Sequence, residues 1–137
     1  MEPAIGFREH AHTADWELEV WAPNLAALLE QAAKGMYALA GMKLQKGPTL
    51  ERNLKLEAAD AESLLVRFLA ELLWLEENEN VGFDRISITL SSGFNLHASL
   101  KGCTILSVDK EIKAITYHNL VIQTTPRGLS TRIVFDV

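Results

Sequence analysis

Seven large apolar side chains, Leu64, Leu65, Phe68, Leu69, Leu72, Leu73 and Leu75, recur at three- and four-residue spacing between Ala61 and Glu77. A helix with so wide an apolar stripe cannot stand in water, so a second layer of structure must cover it. Asp60 is placed to cap it, and Glu62 puts a negative charge at the positive end of the helix dipole. Trp74 falls off the centre of the stripe and is expected at a sheet edge or a partner surface. The acidic run Glu76-Glu77-Asn78-Glu79-Asn80 reads as a solvated helix end or as a docking point for a basic partner.

What covers the stripe is written in alternation. Trp16, Leu18 and Val20 alternate with Glu17 and Glu19, as a half-buried strand does. After Pro23-Asn24, with Asn24 as the cap, the apolar spacing predicts a helix from Leu25 to Ala40 that ends near Gly41, and Gly35 in its middle marks close packing against a neighbour. Gly41 to Gly47 reads as a connection closed by Pro48, and Leu50 to Ala58 as a second amphipathic strand. Ile86, Ile88 and Leu90, then Ser91-Ser92-Gly93, then Leu96, Ala98 and Leu100 predict a hairpin. Gly102 to Lys110 reads as a less regular connection, Glu111 to Thr124 as one long strand, and Leu129 to Val137 as the last strand after the turn Pro126-Arg127-Gly128. The expected fold class is α+β: one domain over 1–137, with two helices packed on a mainly antiparallel mixed β-sheet.

At 137 residues and 48% hydrophobic content the chain can bury one proper core. Its net charge of -5 with no basic block disfavours tight direct contact with a nucleic-acid backbone. The single cysteine, Cys103, excludes an internal disulfide and a cysteine-rich zinc site, which fits a reducing compartment. Met1-Glu2-Pro3-Ala4-Ile5 carries no basic leader, and no apolar run reaches membrane length, so a cytoplasmic location without membrane contact is expected.

Phosphate-binding glycine loops and Gly-x-Ser-x-Gly elbows are missing from the sequence. His10 and His12 share a strand face at a spacing that can hold a transition metal; the other reading is that they cap or line a turn. The remaining candidates are carboxylates: Asp15 at a strand start, Asp136 before the final residue, and the terminal carboxylate of Val137. If the first and last strands are neighbours, these oxygens converge and suit a hard cation; otherwise they are simply solvated.

His12-Thr13-Ala14-Asp15, the run Leu64 to Leu73, the segment Glu111-Ile112-Lys113-Ala114-Ile115-Thr116-Tyr117-His118 and the ending Val134-Phe135-Asp136-Val137 together resemble the archease family in order and spacing. The resemblance implies a non-catalytic accessory protein that helps the GTP-dependent RNA-splicing ligase through guanylylation and multiple turnover in tRNA splicing, meeting tRNA only through the ligase. It implies a divalent metal ion held by Asp15, Asp136 and Val137, with calcium expected in the isolated protein and magnesium or manganese as alternatives. His12, Lys113 and His118 enter as supporting or partner-facing residues. Two rivals remain: a general chaperone or assembly factor for RNA-processing enzymes, with Trp21, Trp74 and the 76–80 tail as contacts, and a small metal-dependent hydrolase using His12 as base. Oligomeric state is not encoded in any of these features.

Overall fold

The computed structural model describes residues 3–11 and 15–137. In chain order the elements are β1 (Gly6–Ala11), β2 (Asp15–Ala22), α1 (Leu25–Ala40), β3 (Lys43–Leu44), β4 (Leu50–Glu57), α2 (Ala61–Glu79), β5 (Val81–Ser91), β6 (Asn95–Ser107), β7 (Ala114–Thr116), β8 (Gln123–Thr125) and β9 (Gly128–Asp136). The α+β class with two helices holds. The strands divide into two sheets, β1-β2-β9-β7 with β8 also on β9, and β3-β6-β4 with β5 also on β6. Every ladder among the described residues is antiparallel.

Local chemistry sets the helix ends where the sequence puts them. The Asn24 side chain accepts from the Ala27 N–H at 2.9 Å and the Asp60 side chain from the Ser63 N–H at 2.7 Å. Gly41 closes α1 in the left-handed region at φ 64°, where a side chain would be strained. Asp60→Ala is expected to destabilise the protein through loss of the N-cap, read as a lowered urea midpoint with unchanged slope.

The stripe of α2 is buried as its spacing requires, from Leu64 to Leu75, while Trp74 stays 53% exposed. The core against which it packs takes Leu18 and Val20 from β2, Leu28, Leu29 and Met36 from α1, Leu96 and Leu100 from β6, and Ile133 and Phe135 from β9. Helix α1 touches strands of both sheets. Its Gly35 faces β1 and β2 so closely that a Cβ there would stand 3.0 Å from the Phe7 ring and closer still to Leu18.

Three stretches differ from expectation. Gly102 to Lys110 is not a loose connection: β6 runs on to Ser107, because β3 and the start of β5 pair with it there and Ile105 is buried. Glu111 to Thr124 is not one strand. It is broken into β7 and β8 by a turn in which the Leu120 N–H donates to the Tyr117 carbonyl and Asn119 takes φ 52°. Ile112 and Leu120 supply the apolar pattern from non-strand backbone, both buried, so the periodicity there reported burial rather than extension. The edge strand β1 has little apolar alternation to announce it.

The acidic end of α2 continues the helix to Glu79, whose carboxylate meets Arg52 at 2.7 Å. Glu76 is half-buried, and burial first, then Glu77 and Glu111, raise its pKa above the ordinary glutamate value. A carboxyl whose folded pKa is raised binds its proton more tightly in the native state. Its contribution is therefore favourable at acid pH and is lost as pH climbs from the unfolded value through the raised one. Glu76→Gln should stabilise the protein at neutral pH and flatten that part of the stability profile, as denaturant titrations across the carboxylate range will show.

Candidate metal centre

The two ends of the sequence meet in the ladder between β2 and β9. Its register pairs Asp15 with Asp136, Trp16 with Phe135 and Leu18 with Ile133. Since side chains alternate between faces, Phe135, Ile133, Leu18 and Trp16 turn toward the core and both aspartates turn outward. Directly opposed residues in an antiparallel pair have Cβ atoms about 4.5–5.5 Å apart. On the other flank of β9, Ala114 of β7 is paired with Asp136, and the Lys113 N–H donates to the Asp136 carbonyl at 2.7 Å.

The end of the sheet is held in place from several sides. The Lys110 ammonium lies 3.2 Å from the centroid of the Trp16 ring, and the N–H groups of Asp109 and Lys110 donate to the Ala40 carbonyl at 2.9 and 3.0 Å. The segment between β6 and β7 is thereby tied both to the end of α1 and to the strand carrying Asp15. Val137 packs against the core, which fixes the residue following Asp136.

Farther along the same outer face the carboxylates meet cations. Arg132 bonds Glu17 at 2.8 Å, and Glu19 receives Arg8 at 3.5 Å and the His10 ring at 3.2 Å. The His10 ring is thus within hydrogen-bond reach of Glu19. His12 lies outside the described residues. His118 sits beyond β7 in the exposed turn, its N–H on the Thr116 hydroxyl at 3.3 Å and its ring 3.2 Å from the Asn119 amide, and the ladder does not bring it into the row of Asp136.

Two opposed carboxylates fit a hard cation. Like charges directly across a ladder repel, an all-oxygen donor pair suits calcium, magnesium or manganese, and softer metals prefer nitrogen or sulfur. No group of three or more His, Cys, Asp or Glu converges among the described residues, so the pair alone is an incomplete ligand shell. The ion pairs of Glu17 and Glu19 were missed by sequence reading; the only hint was the alternation of charge along both strands.

The model of the Archease protein family matches residues 7–137. This chain belongs to the archease family. It is 30% identical over 130 residues to the protein archease of Thermococcus kodakarensis, covering 89% of this chain and 91% of that one. The Archaeoglobus fulgidus protein archease is 32% identical over 130 residues, with 92% and 95% covered. Among solved structures, Methanobacterium thermoautotrophicum protein 1598 superposes with a TM-score of 0.69 at 22% identity, covering 96% of this chain and 99% of that one. An archease from Thermotoga maritima, described as a possible chaperone, superposes with a TM-score of 0.67 at 23% identity, covering 100% of this chain and 97% of the other. At those identities the two structures establish that the archease fold is shared. No helix among the described residues is long and apolar enough to cross a membrane.

Proposed function

We propose that this archease-family protein is a non-catalytic accessory factor of the GTP-dependent RNA-splicing ligase, promoting its guanylylation and repeated turnover, with tRNA met only through the ligase. The observation that carries the reading is the β2–β9 register, which sets Asp15 and Asp136 side by side at a sheet end. Asp15 and Asp136 would hold a divalent cation, calcium in the isolated protein or magnesium or manganese, and Val137 is added on the family resemblance. When bound, that cation supplies positive charge where a triphosphate has to be neutralised.

The chain's own part is to orient. The ladder fixes both carboxylates, the Lys113 N–H steadies the Asp136 backbone, and Phe135 and Trp16 anchor the strands behind them. Lys113 and His118, both exposed, enter on the family resemblance as residues that would face a partner or support the site. The ligase would be favoured in its competent conformation by contacts made only there.

Asp15→Ala and Asp136→Ala are expected to abolish stimulation in multiple-turnover ligation while leaving single-turnover joining by pre-guanylylated ligase intact. Undiminished stimulation by both variants would reject the metal-centred reading. Calcium at about 100 times its dissociation constant should stabilise the wild-type protein by about 2.7 kcal/mol and neither variant, a difference that thermal unfolding reads directly.

A second reading, a general chaperone, is favoured by exposed Trp74 at 53%, Tyr117 at 56% and Leu106 at 63%. Trp21 is a weaker contact than its sequence position suggested, since its indole is bonded to the Pro3 carbonyl at 2.8 Å. Suppression of aggregation of unrelated clients, lost in Trp74→Ser, would favour that reading over dependence on one ligase.

A further inference from the structure

The two sides of α2 meet different surroundings. The leucine stripe fills the core, while Arg67, Ala70, Trp74, Glu77 and Asn78 recur at three- and four-residue spacing on the opposite side and are all exposed. Glu71, one turn before Trp74, is half-buried beside them. Trp74 thus leaves more than half of a large aromatic side chain in water, at a helix end dense with carboxylates.

Those carboxylates are largely uncompensated. The last turn of α2 holds Glu76, Glu77 and Glu79 and no basic residue, although the C-terminal end of a helix dipole is negative and favours a cation. Arg52 answers Glu79. Arg67, on the exposed side of the helix, is bonded back to the Glu57 carbonyl, and Lys110, next to Glu111, lies over the Trp16 ring. Among the described residues no cation pairs with Glu71, Glu76, Glu77 or Glu111. Glu77 and Glu111 accordingly add to burial in raising the pKa of Glu76. Like charges crowded at the negative end of a helix cost stability, and a cation arriving from outside relieves that cost.

We propose that the outward side of α2 docks an arginine-bearing segment of a protein partner, with one guanidinium stacked on the Trp74 indole and held by the Glu71 and Glu77 carboxylates. Glu71 and Glu77 stand three residues before and after Trp74, so both are its neighbours on the helix surface. Arginine is the fitting cation, because its planar, weakly hydrated guanidinium stacks on an aromatic face while its N–H fork donates to carboxylates. The net charge of -5 steers a basic segment toward this chain. The surface lies on α2 and not at the sheet end that carries the aspartate pair, and it does not depend on the ligase reading.

The full chain is titrated with a short arginine-rich peptide, a lysine-rich peptide of the same length and spermine, while the Trp74 indole N–H and the Glu71 and Glu77 amides are followed by NMR. Saturable shifts at these positions are expected with the arginine peptide, and binding several-fold weaker with the lysine peptide. Trp74→Ser should weaken binding about tenfold, as should Glu71→Gln combined with Glu77→Gln, while Glu9→Gln, which removes an exposed carboxylate on β1, should leave it unchanged. Missing shifts, lysine binding as tight as arginine, or the same shifts with spermine at the same concentration would overturn the proposal. So would a Trp74→Ser protein that binds like the wild type, or a Glu9→Gln protein weakened as much as the paired glutamine variant. If Trp74→Ser fails to fold, the paired variant decides.

Discussion

Gly102→Ala should prevent the protein from folding to its native state, or leave it destabilised by more than about 4 kcal/mol. A Cβ at this position runs into the carbonyl oxygen of Gly82 and would stand 2.7 Å from the Gly82 carbonyl carbon and from the Phe83 Cα. All three are backbone atoms, so no rotamer change relieves the clash. Gly102 pairs with Phe83 on one side and Leu50 on the other, next to the register shift between Phe83 and Arg85. Making room would break the β5–β6 ladder at its irregular point and shift the central strand of the four-stranded sheet. Small domains hold only about 5–15 kcal/mol in total, so a loss of this size is visible as missing native circular dichroism or as a collapsed urea midpoint. Gly47→Ala is the control, because nothing lies within 4 Å of its added Cβ, and its effect should stay within about 0.5 kcal/mol. Near-native stability of Gly102→Ala would mean that the two strands are farther apart than described here.

Phe135→Ala should cost about 3–5 kcal/mol, the loss typical of a buried aromatic side chain replaced by alanine, with Phe135→Leu costing less. Phe135 is fully buried and pairs with Trp16 in β2 and Ile115 in β7, so three strands lose packing at once. It also immediately precedes Asp136. On the proposed metal reading, the alanine variant is expected to bind calcium more weakly than its remaining folded fraction explains, because the strand end is no longer anchored from behind. Urea denaturation with and without calcium separates the two effects. A loss under about 1 kcal/mol would show that the cavity collapses and that Phe135 is not the anchor described here.

Much of this protein follows from the sequence because the relevant physics is local. Asn24, Gly41 and Asp60 cap helices through bonds within a few residues, the α2 stripe has nowhere to go but inward, and the hairpin around Gly93 is set by a short turn. The alternation from Trp16 to Val20 was enough to assign each side chain of β2 to a face.

Other features depend on partners distant in sequence. Whether Ile112 and Leu120 belonged to a strand was undecidable from periodicity, since a buried apolar residue in a turn leaves the same mark as one in a sheet. The continuation of β6 to Ser107 depends on β3 and β5 arriving beside it, and Gly102 has no local reason to be glycine. Asp15 and Asp136 illustrate the division most clearly. Each side chain's outward face could be read from alternation, but their adjacency depends on β9 inserting between β2 and β7, a long-range pairing stabilised by a core assembled from every part of the chain. Sequence alone determined both helices, β2, β4 and the hairpin around Gly93 with their buried faces, because hydrophobic period and capping act over a few residues. Only the tertiary structure decided the two-sheet division and the meeting of β2 with β9, because register between strands more than a hundred residues apart is chosen by packing.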